Sequence, residues 1–225
     1  MYPETKLYKA LTTGAFPIIV SLARHDLDLA KAALDGGAFA LKTHLNAYHR
    51  ATGTTFGSFA EERPFFEQLS QLGCPLLVMA GQETVPSAEE MGELANLGFE
   101  GFNVYVDHMQ PHLLASRLRP MPALSSSSTP KDVKEIASLP GCIVEASIMP
   151  FERYRTTMTD ADLERYAAIV EAVDVPVIVP SQLTFTAADL ARLKSVGVAA
   201  PLLGAIVTGD TPQSMLEAVT ALAKH

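Results

Sequence analysis

The chain has 225 residues, 48% of them hydrophobic, with 17 Lys and Arg against 25 Asp and Glu and a formal charge of −8. That length suits one substantial core. An acidic chain with no Lys/Arg-rich run excludes a nucleic-acid binder, so any anionic ligand has to be held by local groups.

No segment reaches the roughly 18 consecutive apolar residues of a membrane span, and the opening "MYPETKLYKALTTGAFPIIV" has no basic region leading into an apolar stretch. The two cysteines, Cys74 and Cys142, each start an apolar run and are expected to be free core thiols in a reducing compartment. The expectation is therefore a cytoplasmic protein with no membrane partner.

In chain order, "FPIIVSLA" (16–23) is the first expected strand, carrying Ser21, and "DLDLAKAALDGG" (26–37) the helix after it. The second strand, "FALKTHL" (39–45), contains Lys42 and His44. A long connection follows, "NAYHRATGTTFGSFAEE" (46–62), with His49, Arg50 and two glycines as hinges. Connections of that length often close over a ligand. The alternative is a surface excursion packed on a second subunit through Phe56 and Phe59, which makes a homodimer the further expectation.

Helix "EERPFFEQLSQLG" (61–73), strand "CPLLVMAG" (74–81) and helix "SAEEMGELANLG" (87–98) continue the alternation. Strand "GFNVYVDH" (101–108) brings Asn103, Tyr105 and Asp107, and helix "QPHLLASRLR" (110–119) leads to strand "MPALSSSS" (121–128) with Ser125 and Ser127. After helix "TPKDVKEIASLPG" (129–141), strand "CIVEASIMP" (142–150) carries Glu145 and Ser147. The loop "MPFERYRTTMTDADL" (149–163) offers Arg153 and Arg155 to a further anionic group, or simply to solvent. Helix "DADLERYAAIVEAV" (160–173), strand "VPVIVPSQ" (175–182), helix "TAADLARLKSVG" (186–197), strand "PLLGAIVTG" (201–209) and helix "TPQSMLEAVTALAKH" (211–225) complete the series.

Eight strand–helix alternations without a linker imply a single-domain (β/α)8 TIM barrel over residues 1–225, an α/β fold; an open doubly wound sheet would place a glycine-rich turn after its first strand, where "SLARHDLD" stands. In such a barrel the ligand sits at the C-terminal ends of the strands. The polar strand residues fall there at two-residue spacing, which points them into the barrel mouth, while Leu41, Val104, Val106 and Val144 point to the helices.

Lys42, His44, Asp107 and Glu145 are the catalytic candidates, with Ser21, His49, Arg50, Asn103, Ser125, Ser127 and Ser147 around the substrate. A Lys–Glu pair that only holds the barrel closed is the bland alternative. Phosphate is expected at Ser181, Gln182, Gly204, Ala205, Thr208 and Gly209, with Asp210 capping the last helix.

The stretch "VPVIVPSQLTFTAADLARLKSVGVAAPLLGAIVTG", with "TAAD" (186–189) and "GAIV" (204–207), resembles the last quarter of the ribulose-phosphate-binding barrels. Its rhythm is nearest to N-acetylmannosamine-6-phosphate 2-epimerase-like and ketohydroxyglutarate aldolase-like proteins. The resemblance implies a barrel with backbone amides holding a phosphate. It does not carry over the epimerase's catalytic residues, since "VMAGQET" (78–84) replaces the Lys-Arg-Asp segment.

The residues themselves suggest an isomerase or epimerase of a small phosphorylated sugar or sugar acid, working through an enolate. A Schiff-base aldolase using Lys42 and a non-catalytic barrel that binds a phosphometabolite are the alternatives. No cofactor is expected. Nor is a metal at His44, Asp107, His108 and Glu145, where Lys42 would repel it.

Overall fold

The structure is a computed structural model and describes residues 2–224. Its strands are β1 (Ile19–Ser21), β2 (Ala40–His44), β3 (Ala47–His49), β4 (Thr54–Phe56), β5 (Leu76–Met79), β6 (Phe99–Tyr105), β7 (Arg119–Ala123), β8 (Val144–Glu145), β9 (Val177–Pro180) and β10 (Ala200–Leu203). Eight of them form a closed parallel barrel, each strand pairing with the next and β10 returning to β1. The hairpin β3–β4 stands outside it as a separate antiparallel pair.

The helices are α1 (Lys6–Thr12), α2 (Leu27–Asp35), α3 (Phe59–Ser70), α4 (Ala88–Asn96), α5 (Pro111–Leu114), α6 (Pro130–Ala137), α7 (Asp160–Glu171), α8 (Ala187–Ser195), α9 (Ala205–Thr208) and α10 (Pro212–Leu222). This is the single (β/α)8 domain that the alternation implies. The helix ring is tight where α2 ends: a Cβ on Gly36 would stand 2.8 Å from that of Val219 in α10, closer than packed carbons tolerate.

Strand side chains alternate between lumen and outer layer. Val20, Leu41, Val78, Phe102, Val104, Val144 and Val179 face outward and join the apolar positions of the helices in one core. Ile19, Ala40, Leu77, Met121, Ile143, Ile178, Ala200 and Leu202 fill the lumen.

The N-terminal end of the barrel is plugged by α1, an element the strand–helix alternation does not announce. Leu7 and Leu11 join the lumen core, and the Leu7 N–H donates to Glu100 at 2.9 Å. The Arg119 guanidinium lies 3.5 Å from the centre of the Tyr8 ring and donates to the Pro3 carbonyl at 2.8 Å. With that end plugged, the lumen opens at the C-terminal ends of the strands.

Helix starts follow their polar signals. Thr159 accepts from the Asp162 N–H while Asp162 accepts from that of Thr159, a reciprocal cap that satisfies two of the donors a helix leaves orphaned. Thr159→Ala is expected to cost about 1 kcal/mol, read as a lower urea midpoint with an unchanged slope.

Several boundaries depart from the sequence expectation. β6 ends at Tyr105 and residues 106–108 form a 3-10 turn, so Val106 is 40% exposed rather than packed on a helix. β7 ends at Ala123, because the Ser128 hydroxyl accepts from the Ser125 N–H and the Ser128 N–H donates to the Ser125 carbonyl, folding the serines into a turn. α5 is a single turn. The cap of α10 is Thr211, not Asp210.

Candidate functional site

A cavity of about 570 Å³ opens at the C-terminal face of the barrel. Its floor is the lumen layer above Ile19 and Leu77. Ser21 pairs in register with Lys42, and Ala123 with Glu145; parity sends Lys42 and Glu145 inward from opposite sides of the barrel. They meet as an ion pair, Lys42 Nζ to Glu145 Oε2 at 2.7 Å, each only 4% exposed. The second carboxylate oxygen accepts from the Ser147 hydroxyl at 2.9 Å. Two buried charges are tolerable here because each has its partner.

Beside the pair lies His44, two residues along β2 and buried, with no hydrogen-bond partner for Nδ1. Burial, reinforced by His49 and Lys42, holds its pKa well below the ordinary histidine range, so it is neutral. Its ring stacks on Phe56 at 4.7 Å and lies 4.9 Å from that of His49. Burial, and then Lys42, bring His49 down to about 4; its Nδ1 is 2.8 Å from the Thr52 hydroxyl.

Phe56 and His49 belong to the hairpin β3–β4, which folds the long connection over one side of the cavity. Arg50, exposed at its tip, lines the opening. The hairpin is tied down from below and from the side. Glu62 accepts from the Gly57 N–H at 2.8 Å and pairs with His25, whose other nitrogen meets the Thr43 hydroxyl. Arg155 donates to the Ala51 carbonyl at 2.6 Å. Arg155 is therefore a strut between the two loops, and Arg153 is paired with Asp162 at 2.8 Å, which commits its charge away from the cavity. Phe56 and Phe59 are each 3% exposed within the chain, so the dimer contact expected of them has no exposed ring to use.

On the opposite side, Ser181 accepts from the Gly204 N–H at 2.7 Å, which leaves its own hydrogen free to donate. The amides of Ala205 and Ile206 open α9, where the first turn of a helix leaves donors unpaired, and both residues line the cavity. Ser181, Gly204 and Ala205 therefore come together.

Thr208 and Gly209 do not. The chain turns helical after Gly204, which carries Thr208 away from the cavity to full burial with its hydroxyl on the Gly209 carbonyl, and Gly209 closes the turn at φ 66°. Gln182 lines the cavity with its amide held at both ends: Oε1 accepts from the Met149 N–H at 2.9 Å and Nε2 donates one hydrogen to the Tyr154 hydroxyl at 2.6 Å.

Asp107 also departs from expectation. It stands exposed on the 3-10 turn at the rim and takes no part in the Lys42–Glu145 pair. Ser125 and Ser127 sit on the rim turn, hydroxyl to hydroxyl at 2.9 Å. Asn103 reaches the lumen, where its amide nitrogen donates to the Met121 carbonyl at 2.7 Å. Among the described residues, no group of three or more His, Cys, Asp or Glu side chains is placed to hold a metal ion, and no helix is long and apolar enough to cross a membrane.

No family profile matches the sequence. No curated protein matches it either. Solved structures do share the barrel. Tryptophan synthase from M. tuberculosis superposes with a TM-score of 0.72 at 15% identity, over 99% of this chain and 98% of that one. The tryptophan synthase A-subunit from Pyrococcus furiosus gives 0.69 at 11% identity, over 94% and 98%. Thiamine phosphate pyrophosphorylase from Pyrococcus furiosus gives 0.67 at 15% identity, over 95% and 96%. At such identities the likeness is one of fold, and what the site does has to be argued from its own residues.

Tyr105 lines the cavity as its strand spacing leads one to expect, and Tyr154 lines it with no sequence signal. Tyr105 extends the inward parity of Asn103, and burial beside Glu145 raises its phenol to about 12, with the Ser147 hydroxyl pulling the other way. Tyr154 enters from the loop after β8, its ring 5.1 Å from that of Phe151, and no strand periodicity marks it.

Proposed function

We propose that the protein is an isomerase or epimerase of a small phosphorylated sugar or sugar acid, working through an enolate. The observation that carries this is the buried Lys42–Glu145 pair, 2.7 Å apart on the floor of a cavity walled by neutral His44. Glu145 takes the proton from the carbon beside the carbonyl. Lys42 swings its ammonium onto the oxygen where negative charge develops, which is where a fixed cation lowers the barrier most. Neutral His44 has one ring nitrogen that donates and one that accepts, the pair needed to pass a proton between neighbouring substrate oxygens. The Ser181 hydroxyl, fixed by the Gly204 N–H, and the first amides of α9 form the anion-binding side, favoured by the unpaired N–H groups of Ala205 and Ile206.

The alternative of a Schiff-base lyase needs a free amine on Lys42, whereas Lys42 here donates to Glu145. A panel of aldose and ketose phosphates of three to six carbons, incubated with the protein in heavy water, tests the assignment. The carbon next to the carbonyl should take up deuterium, and Glu145→Gln should abolish that exchange while leaving ligand-induced thermal stabilisation in place. Exchange that survives in Glu145→Gln refutes the base; a borohydride-stable adduct on Lys42 transfers the chemistry to carbon–carbon cleavage.

A further inference from the structure

Gln182 has no freedom in how its amide lies. The Met149 N–H can only donate, so the atom it meets at 2.9 Å is the carbonyl oxygen Oε1. The nitrogen then faces Tyr154 and donates to its hydroxyl oxygen at 2.6 Å. A phenol carries one hydrogen. With its oxygen accepting from a fixed amide, that hydrogen has to point elsewhere, and Tyr154 borders the cavity. Glu145 accepts from Lys42 and Ser147, and among the described residues no hydrogen bond joins it to Tyr154.

We propose that Tyr154 is a catalytic residue, the neutral donor that receives the ligand's carbonyl oxygen, and that Gln182 is the positioning residue that turns its hydrogen into the cavity. This rests on the enolate chemistry given above. In that chemistry the Lys42 ammonium is divided between Glu145 and the substrate, so a second donor at the developing oxyanion adds stabilisation without adding a charge to be desolvated. Burial raises the Tyr154 phenol above its ordinary range, against the Gln182 hydrogen bond and the Arg50 guanidinium, which lower it, while Glu145 adds to the rise. The group keeps its hydrogen at neutral pH.

Two substitutions test the pair by deuterium exchange at pH 8. Tyr154→Phe is expected to lower kcat for exchange about 100-fold, the usual loss for one oxyanion donor, with KM within twofold of wild type. Gln182→Glu keeps the shape and the acceptor for Met149 but offers the phenol an acceptor instead of a donor. The Tyr154 hydrogen should turn away from the cavity, giving a loss similar to that of Tyr154→Phe. The phenol's ultraviolet titration, isolated as the difference from Tyr154→Phe, should also move to higher pH.

Wild-type exchange that is unaffected in Tyr154→Phe overturns this assignment alone. Absence of exchange in the wild type with every sugar phosphate overturns the enolate chemistry, and the role with it. Gln182→Glu with wild-type exchange and an unmoved phenol titration overturns the positioning role. Should Gln182→Glu fail to fold, Tyr154→Phe decides the catalytic role, and Gln182→Met, read by the same titration, decides the positioning role.

Discussion

Lys42→Met, with Glu145 left in place, is expected to cost about 3–5 kcal/mol of folding free energy. The glutamate would keep the Ser147 hydrogen bond but lose its counter-charge in a site where it is 4% exposed. Adding Glu145→Leu to the same chain should restore most of that stability, because two apolar side chains need no solvation and can pack against Leu77 and Ile178, the neighbours of Lys42 and Glu145 in register. Urea midpoints of the wild type, both single variants and the double variant form the cycle, with unchanged slopes showing that the same transition is being compared.

The cycle separates two roles for one contact. If the pair served only to close the barrel, the stable double variant would keep whatever activity the wild type has. Under the enolate chemistry, the double variant regains most of the stability and is inert. A Lys42→Met variant within 1 kcal/mol of wild type would mean that Glu145 is not held as a buried charge.

Strand periodicity made much of this site legible, and its limits follow from where that periodicity stops. Lys42, Asn103, Glu145 and Ser21 lie inside or at the last residue of a strand, where two-residue spacing fixes the direction of the side chain. The same spacing extended past Tyr105 points Asp107 inward, but the chain there is a 3-10 turn and the parity no longer holds.

Thr208 and Gly209 fail for the same reason. After Gly204 the chain is helical and the two-residue parity no longer applies: Ala205 stays at the cavity, while the helix leads Thr208 away from it into full burial, its hydroxyl on the Gly209 carbonyl. The hairpin β3–β4 escapes the pattern because three-residue strands are too short for an alternation to register, and its Phe56 is buried among three imidazoles. Tyr154 was beyond reach of any local pattern: the amide that orients it comes from Gln182, 28 residues later on another loop.

Lowering the pH from 6.5 to 4 is expected to remove about 3 kcal/mol of stability through His49 alone, given its native pKa of about 4 against the ordinary 6.5. Burial favours the neutral ring in the folded chain, so the unfolded chain takes up the proton first. The stabilisation is complete above pH 6.5, falls as the unfolded chain protonates, and is exhausted once the native ring titrates near pH 4.

His44 and His25 act in the same direction, each lowered chiefly by burial, although Glu62 pulls His25 part of the way back. The three rings surround Phe56, at 4.8 Å for His25, 4.7 Å for His44 and 6.4 Å for His49. Charging any of them loosens the seat of the hairpin over the cavity. Lys42 on the floor and His25 behind the strand both repel a proton on His44, and Lys42 repels one on His49, so nothing in the cluster offsets the added charge except Glu62 at its edge. Carboxylates also titrate in this window, and the difference between wild type and His49→Gln removes their common contribution. The variant should show a shallower decline in urea midpoint between pH 6.5 and 4; two curves that stay parallel would show that His49 is not buried as a neutral ring.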